Sequence, residues 1–315
     1  FQSMEKHSAY CAMQRLGLHI PETWLIPPKA PPDTEKYRRT AVRYHDLFNL
    51  ADIANEIGYP LFMKPFDGGG WRGVSSVHDE AELIKAYDES GQMLMHLQAG
   101  LADFDVFVRS LAIGPQVISL SYDPEQPQHG RYQIRHDFLD AEKGREASII
   151  TKVINAFFRW DFNSCEAILK DDILWPIDFA NACPDIAITS LHYYFPWAIK
   201  SLLAWSLFCT VTRRPMHITM DIAPYFAIAD SDLSYDAKLT AYEKLADAHF
   251  QTEEFNAFKA EALPQLDEVM WRLAQSEAFD AILVQMVQST FPAHEHEQYI
   301  AHYRGLLEHW VKAEG

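Results

Sequence analysis

The segment 61–77 constrains the fold more than any other part of this sequence. It reads LFMKPFDGGGWRGVSSV, an apolar run that ends on a lysine, then a glycine-rich turn and a second extended run. Gly68, Gly70 and Gly73 match the letters G-x-G-x-x-G, but the dinucleotide-binding motif requires a helix to begin directly on the last glycine. The residues after Gly73 are instead predicted to be extended, and the next helix is predicted to begin at Asp79.

The position of the lysine excludes two other nucleotide-binding motifs. A Walker A motif needs Gly-Lys-Ser/Thr at the end of the loop, and a protein-kinase glycine loop has its lysine on a later strand. Here Lys64 comes before the loop. We therefore predict a β-hairpin whose loop closes over phosphate oxygens through backbone N–H groups, while Lys64 supplies positive charge.

The overall charge limits the kinds of partner. With 315 residues and 48% hydrophobic content, the chain is predicted to fold as two or three lobes. Its net charge of −17 argues against nucleic acid or an anionic membrane as a partner, so any bound phosphate needs a local cluster of positive groups. The four cysteines lack C-x-x-C spacing, which favours reduced thiols and a cytoplasmic location.

Two segments need separate interpretation. The most apolar window, residues 201–211, is too short to span a bilayer and is predicted to be a buried helix. The opening residues 1–3, FQS, resemble the remnant of a cleaved tag and are left out of the fold prediction. No signal peptide is expected.

The remaining pattern predicts an alternation of helices and strands, followed by a helical region. Before the hairpin we predict a helix over 5–16, a strand after Pro21, an exposed loop over 27–43 and a helix that ends at Gly58. After the hairpin the predicted strands are 92–98, 105–114, 115–123, 130–139 and a pair joined by an Asp-Asp turn. The predicted helices are 79–90, 146–158, 186–212, 233–249, 252–275, 277–290 and 295–312.

Oxygen-bearing side chains lie on the last predicted strand pair. Glu166 is on its first strand, and Asp178 and Asn181 are on the second. Carboxylate and amide oxygens suit Mg²⁺, which proteins usually hold with one or two carboxylates plus substrate phosphates. The alternative is that these are surface residues near a turn.

Taken in order, these segments resemble the ATP-grasp superfamily over about residues 5–181. EKHSAYCAMQRLGLHIPET is similar to the family's first lysine and helix, and YPLFMKPFDGGGWRGVSSVHDEAELIKAY to its strand, glycine lid and helix. MLMHLQAGLADFDVFV occupies the place of the interlobe hinge. The resemblance implies an α+β, two-lobed ATP-grasp fold with mixed or antiparallel sheets, plus a mostly α-helical C-terminal region.

The resemblance also implies roles for individual residues. Lys6 and Lys64 would be the two ATP-contacting lysines, and ATP would lie between the lobes. The further expected ATP contacts are the lid residues Gly68, Gly69, Gly70, Arg72 and Gly73, the main chain near His96, Leu97 and Gln98, and Asp105 at the ribose. The expected ligands of Mg²⁺ or Mn²⁺ are Glu166, Asp178 and Asn181.

Three departures from the family pattern qualify these roles. Asp-x-x-Asn replaces the usual Glu-x-Asn, so Asn181 is a ligand only if a bulge restores the geometry. The basic residue that often follows is absent, and Arg131 and Arg135, predicted on one face of a strand, are candidates for neutralising the transferred phosphoryl group. The family's N-terminal lobe has no counterpart here, so the C-terminal extension or a partner chain is expected to supply the acceptor site.

The predicted division is a first lobe with the lid over 4–104, a second lobe with the metal site over 105–212 and a helical region over 213–315. The implied function is an ATP- and Mg²⁺-dependent ligase, which activates a small-molecule or peptide carboxylate as an acyl phosphate for attack by an amine or other nucleophile. The alternatives are a small-molecule kinase and a nucleotide-binding regulatory or scaffold subunit. Tyr193, Tyr194 and Trp197 are acceptor-pocket candidates, although an aromatic stripe at helical spacing is usually core.

Overall fold

A computed structural model describes residues 5–30, 32–44, 48–67, 72–217 and 219–314. The chain forms two compact units: residues 1–106 with 165–181, and residues 107–164 with 182–315. The predicted boundaries at 104 and 212 stay predictions.

The first unit is built on a four-stranded antiparallel sheet with the strand order β1-β4-β2-β3. Its strands are β1 (Thr23–Ile26), β2 (Leu61–Pro65), β3 (Ser75–Val77) and β4 (Met95–Ala99), and its helices are α1 (Lys6–Arg15), α2 (Glu35–Tyr44), α3 (Leu50–Ile57) and α4 (Glu80–Ser90).

The two faces of this sheet have different roles because side chains alternate along a strand. Leu61, Met63 and Leu97 lie in a hydrophobic core with residues of α3 and α4. Lys64 pairs across the ladder with His96, and both alternate with these core residues. The opposite face of the sheet is therefore the one that carries the polar groups.

The predicted hairpin is confirmed. β2 and β3 pair in antiparallel register, with Leu61 opposite Val77 and Met63 opposite Ser75. Helix α4 begins as predicted, since the Asp79 side chain accepts a hydrogen bond from the Glu82 backbone N–H at 2.9 Å.

The prediction of a loop over 27–43 was wrong, because α2 occupies Glu35–Tyr44. The prolines of this segment all precede residue 33, so none interrupts the helix. Glu35 lies in the first turn and Arg43 in the last, which suits the helix dipole.

The second sheet has the strand order β7-β6-β5-β8-β9, and β8 and β9 each contribute residues to both units. Its strands are β5 (Val106–Ile113), β6 (Gln116–Tyr122), β7 (Tyr132–Gln133), β8 (Phe162–Lys170) and β9 (Ile173–Ala182). Asp171 and Asp172 join β8 to β9 with φ of 51° and 60°, the left-handed pair of a tight hairpin turn.

The rest of the second unit is helical. Its helices are α5 (Ala141–Phe158), α6 (Ile188–Leu191), α7 (Phe195–Val211), α8 (Ala223–Ala229), α9 (Tyr235–Phe250), α10 (Thr252–Ala262), α11 (Leu266–Ala274), α12 (Glu277–Thr290) and α13 (His296–Glu314). The helix predicted over 252–275 is two helices, because Pro264 lacks the N–H that a continuous helix needs. No helix within the described residues is long and apolar enough to cross a membrane.

Two further predictions need correction. The strand expected over 130–139 has only two residues, Tyr132 and Gln133, because the Arg135 N–H turns back to the Gln133 carbonyl at 3.0 Å. Arg131 has helical backbone angles, so Arg131 and Arg135 do not share one face of a strand. The window 201–211 is only partly buried, since Leu207 and Val211 on α7 are exposed.

The turn between β5 and β6 gives a prediction for stability. Gly114 has a φ of 56°, and a Cβ atom there would lie 2.4 Å from the Trp205 ring. Gly114→Ala is expected to lower the free energy of unfolding by about 2–4 kcal/mol through steric overlap and backbone strain, as measured by urea unfolding. The control is Gly144→Ala in α5, where nothing lies within 4 Å of the added Cβ. Equal stability of the two variants would contradict the prediction.

Candidate active site

The first unit buries two lysines on the polar side of its sheet. Lys6 begins α1 and is 6% exposed, and Lys64 lies on β2 and is 7% exposed. The Lys6 backbone N–H donates to the Phe66 carbonyl at 3.0 Å, which fixes the start of α1 beside the end of β2. Burial of lysine is uncommon unless the ammonium group has partners.

Lys64 is held by groups on two strands. Its Nζ donates to Gln98 Oε1 at 2.6 Å and to the Ile177 carbonyl at 3.2 Å. It also lies 5.7 Å from the centroid of the Phe62 ring and 6.0 Å from that of Tyr10, within the range of a cation–π interaction. The ammonium group is thus oriented by the strand that carries Asp178.

Lys6 forms an ion pair with Asp178 of β9, whose side chain is 29% exposed. Tyr10, one α1 turn after Lys6, donates its hydroxyl to the Ile177 carbonyl at 2.7 Å and packs edge-on against Phe179. Three of the residues predicted from the sequence, Lys6, Lys64 and Asp178, therefore meet in the structure.

The electrostatics of this cluster are dominated by burial. The pKa of Lys64 is lowered to about 8, and desolvation is the largest cause. The negative charge of Asp178 opposes this shift, the positive charge of Lys6 adds to it, and Glu166 opposes it to a smaller extent. Burial and the same two carboxylates raise the pKa of Tyr10. Both predicted metal-binding acids thus act on the same buried groups, and Lys64 is still mostly charged near pH 7.

The lowered pKa of Lys64 predicts how stability changes with pH. Between about pH 8 and 10.5 the unfolded chain keeps a proton that folded Lys64 loses, so this residue makes the free energy of unfolding rise with pH. The rise is expected to be on the order of 3 kcal/mol. Urea unfolding should show it as a difference between the wild type and Lys64→Met that grows in favour of the wild type from pH 7.5 to 10. Lys85→Met, at an exposed position of α4, is the control, and a pH-independent difference for Lys64→Met would contradict the prediction.

The residues predicted to bind metal lie on β8 and β9. Glu166 and Asn181 are half-buried. The alternation of buried and half-buried residues along β9 ends at Ile177, and the bulge that the Asp-x-x-Asn spacing requires stays a prediction. Within the described residues no three His, Cys, Asp or Glu side chains cluster around one point, and the predicted set contains only two such residues. Two carboxylates beside buried lysines fit a Mg²⁺ that is shared with phosphates. Ligation by Asn181 stays a prediction.

The predicted hinge residues differ in what they offer to a ligand. Leu97 points into the core, so only its main chain could meet a base. The side chain of Gln98 is bound to Lys64. His96 is fully buried, neither ring nitrogen has a hydrogen-bond partner within the described residues, and burial lowers its pKa far below the ordinary value.

The other predicted ATP contacts are less well defined. Asp105 is exposed, and its N–H donates to the Leu169 carbonyl at 2.9 Å. Arg72 is exposed, and Gly73 has a φ of 72°. Gly68, Gly69 and Gly70 lie outside the described residues. The roles of all these residues stay predictions.

The arginines predicted to act in the second unit lie on either side of the two-residue strand β7. Arg131 donates to the Gln126 carbonyl at 3.0 Å, and Arg135 is exposed. Sequence reasoning missed Arg109 on β5, whose guanidinium carbon lies 5.1 Å and 5.8 Å from the centroids of the Tyr122 and Tyr132 rings. An arginine inside the apolar run VFVRSLAI was the signal that could have found it.

The acceptor-pocket candidates belong to the second unit as well. Tyr193 and Tyr194 are buried and Trp197 is half-buried. The Tyr194 hydroxyl donates to the Gln133 carbonyl at 3.0 Å. These positions agree with the interpretation of the aromatic stripe as core, and a role in substrate binding stays a prediction.

Parts of the chain are similar in sequence to known enzymes. No family model matches the sequence. A D-alanine–D-alanine ligase from Streptomyces coelicolor is 25% identical over 135 residues, 39% of this chain and 34% of that protein. A biotin carboxylase from Pseudomonas aeruginosa is 34% identical over 85 residues, 27% of this chain and 16% of that protein. The matched segments thus span only part of either relative.

A solved structure covers more of the chain. The D-alanine–D-alanine ligase from Bacillus anthracis, complexed with ATP, superposes with a TM-score of 0.50 at 15% identity, over 67% of this chain and 66% of that one. This chain has an ATP-grasp fold. The predicted α+β class, antiparallel sheets and helical C-terminal region are confirmed.

Proposed function

We propose that this chain binds ATP with Mg²⁺ and uses it to join a carboxylate to an amine. The observation that carries the proposal is the convergence of buried Lys6 and Lys64 on Ile177 and Asp178, within an ATP-grasp fold. The names of the relatives, a ligase and a carboxylase, support ATP-dependent ligation in general.

The buried lysines would serve as phosphate-binding groups. A charge in a site with little water interacts more strongly with a phosphate than an exposed one does. Lys64 is already oriented by Gln98 and the Ile177 carbonyl, so little freedom remains to be lost when it meets ATP. Glu166 and Asp178 would hold Mg²⁺, which neutralises charge on the phosphates.

The reaction then needs positioning rather than a covalent nucleophile on the protein. An oxygen of the acceptor carboxylate attacks the γ-phosphorus, the bond between that phosphorus and the β,γ-bridging oxygen breaks, and ADP leaves. The product is an acyl phosphate. The amine attacks its carbonyl carbon, phosphate leaves, and the amine proton passes to solvent. The cytoplasmic location stays a prediction.

The test begins with binding. Thermal unfolding with ATP and Mg²⁺ is compared with ADP, GTP and NAD, because a ligand at a hundred times its Kd stabilises the native state by about 2.7 kcal/mol. A Mg²⁺-dependent shift with ATP is expected. Release of ADP is then measured with carboxylates alone and with carboxylate–amine pairs.

The outcomes separate the alternatives. A ligase releases ADP in multiple turnovers only when both acceptors are present. ADP release with a hydroxyl compound and no amine would indicate a kinase. Binding of ATP without turnover for any pair would favour a regulatory subunit, and absence of ATP binding would contradict the proposal.

A further inference from the structure

A cavity of about 540 Å³ lies in the second unit, among α5, α8 and α9. Its volume is in the range of sites that hold small molecules. The residues that line it include Arg159, His217, Tyr225, His249 and Gln251. None of these belongs to the candidate active site.

Arg159 is a cation that lines this cavity. It ends α5 in the left-handed conformation, with φ of 60°, and is half-buried. Its guanidinium group donates to the Thr219 carbonyl at 3.4 Å and to the His249 Nδ1 atom at 2.6 Å. Across the described part of the chain, no carboxylate forms a salt bridge with it. Partly buried charges in proteins are normally paired, so a partner is expected from outside the chain.

Tyr225 gives a second, independent indication. It is 3% exposed, it lines the cavity, and its hydroxyl has no hydrogen-bond partner among the described residues. Buried tyrosine hydroxyl groups usually have a partner. An acceptor inside the cavity would satisfy it.

The tautomer of His249 provides a third hydrogen-bond donor. Arginine cannot accept a hydrogen bond, so the His249 Nδ1 atom accepts the one from Arg159 and the proton of the neutral ring is on Nε2. Asp221 is the one carboxylate in the described lining, and it is exposed. Donors therefore outnumber acidic groups around the cavity.

Besides the polar Thr219, the remaining lining is apolar: Pro215, Pro224, Leu245 and Ala248. A ligand that matches this arrangement has two coplanar oxygens for a guanidinium group and a hydrocarbon part for the apolar wall. We propose that this cavity binds a small organic carboxylate through Arg159 and the Tyr225 hydroxyl, with its hydrocarbon part against Pro224 and Leu245.

The probe for the test is sodium butyrate, added at constant ionic strength and without ATP, so that the result does not depend on the proposed function. The ring-proton NMR signals of His217 and His249 are followed. Saturable shifts with a Kd below about 20 mM are expected. Arg159→Gln should weaken binding at least tenfold, and Tyr225→Phe about threefold or more. The control is Arg213→Gln, at an exposed position outside the cavity, which should bind like the wild type.

Two further titrations decide which chemistry is recognised. Butan-1-ol has the same hydrocarbon part without the charge and should not bind. Inorganic phosphate should bind more weakly than butyrate. Shifts that grow linearly with butyrate, equal binding by butan-1-ol, tighter binding of phosphate, or unchanged affinity in both variants would each overturn the proposal. Tyr225→Phe keeps the test decisive if Arg159→Gln does not fold.

Discussion

Glu166→Gln is expected to reduce Mg²⁺-dependent ATP turnover by about a hundredfold or more and to leave the fold intact. The change keeps the size of the side chain and removes the negative charge that a magnesium ion needs. Loss of one group that stabilises charge in a transition state costs about 3–4 kcal/mol, which corresponds to this factor. Glu166 is half-buried on β8, so the amide fits in the same space.

The measurement is steady-state ADP release at several Mg²⁺ concentrations, together with a thermal unfolding curve for each variant. Asp171→Asn is the matched control, because it removes the same charge at the exposed turn between β8 and β9, where asparagine tolerates the left-handed backbone. Full turnover in Glu166→Gln would place the metal elsewhere. Loss of turnover in both variants would indicate that the total negative charge of the β8–β9 hairpin matters, rather than metal ligation by Glu166.

Lys64→Met is expected to weaken ATP binding by about tenfold or more. A hydrogen bond between charged groups contributes about 1.5–3 kcal/mol, and 1.4 kcal/mol is a factor of ten in Kd. Methionine fills a similar volume, so the loss reports the ammonium group rather than a cavity. Isothermal titration of ATP with Mg²⁺ measures the effect.

Two comparisons sharpen this test. Lys85→Met removes an exposed lysine of the same unit and should leave the affinity unchanged. Lys64→Arg keeps the charge with a different shape, so an intermediate affinity is expected if both charge and position matter. Unchanged ATP affinity in Lys64→Met would rule out the phosphate-binding role of this residue.

The sequence predicted best those elements that depend on residues close together along the chain. The hairpin of β2 and β3 follows from alternating side chains around a glycine-rich turn, and the start of α4 follows from its Asp79 cap. Helix α2 was not predicted, because the segment 27–43 as a whole is rich in proline and charge, although its prolines all precede the helix. Strand β7 is short because the chain turns at Arg135, and residue propensities do not predict this turn.

The candidate site could likewise be predicted only in its local parts. The residue pattern pointed to Lys64 and Asp178 separately, and the resemblance to the ATP-grasp superfamily pointed to Lys6. Their meeting depends on long-range packing, since 172 residues separate Lys6 from Asp178 along the chain. The hydrogen bonds of Gln98 and Tyr10 were not predicted, because nothing local distinguishes these side chains from others on the same elements.

The ion pair between Lys6 and Asp178 has a consequence for how two ligands would influence each other. In the free protein each charge is already neutralised by the other. A cation that arrives alone must compete with Lys6 for Asp178, and a phosphate that arrives alone must compete with Asp178 for Lys6. When both ligands bind, the cation pairs with Asp178 and the phosphate pairs with Lys6. The first ligand therefore breaks the ion pair, and the second ligand binds its residue at a lower cost in free energy. Such linkage is reciprocal: the metal would raise the affinity for the nucleotide by the same factor as the nucleotide raises the affinity for the metal.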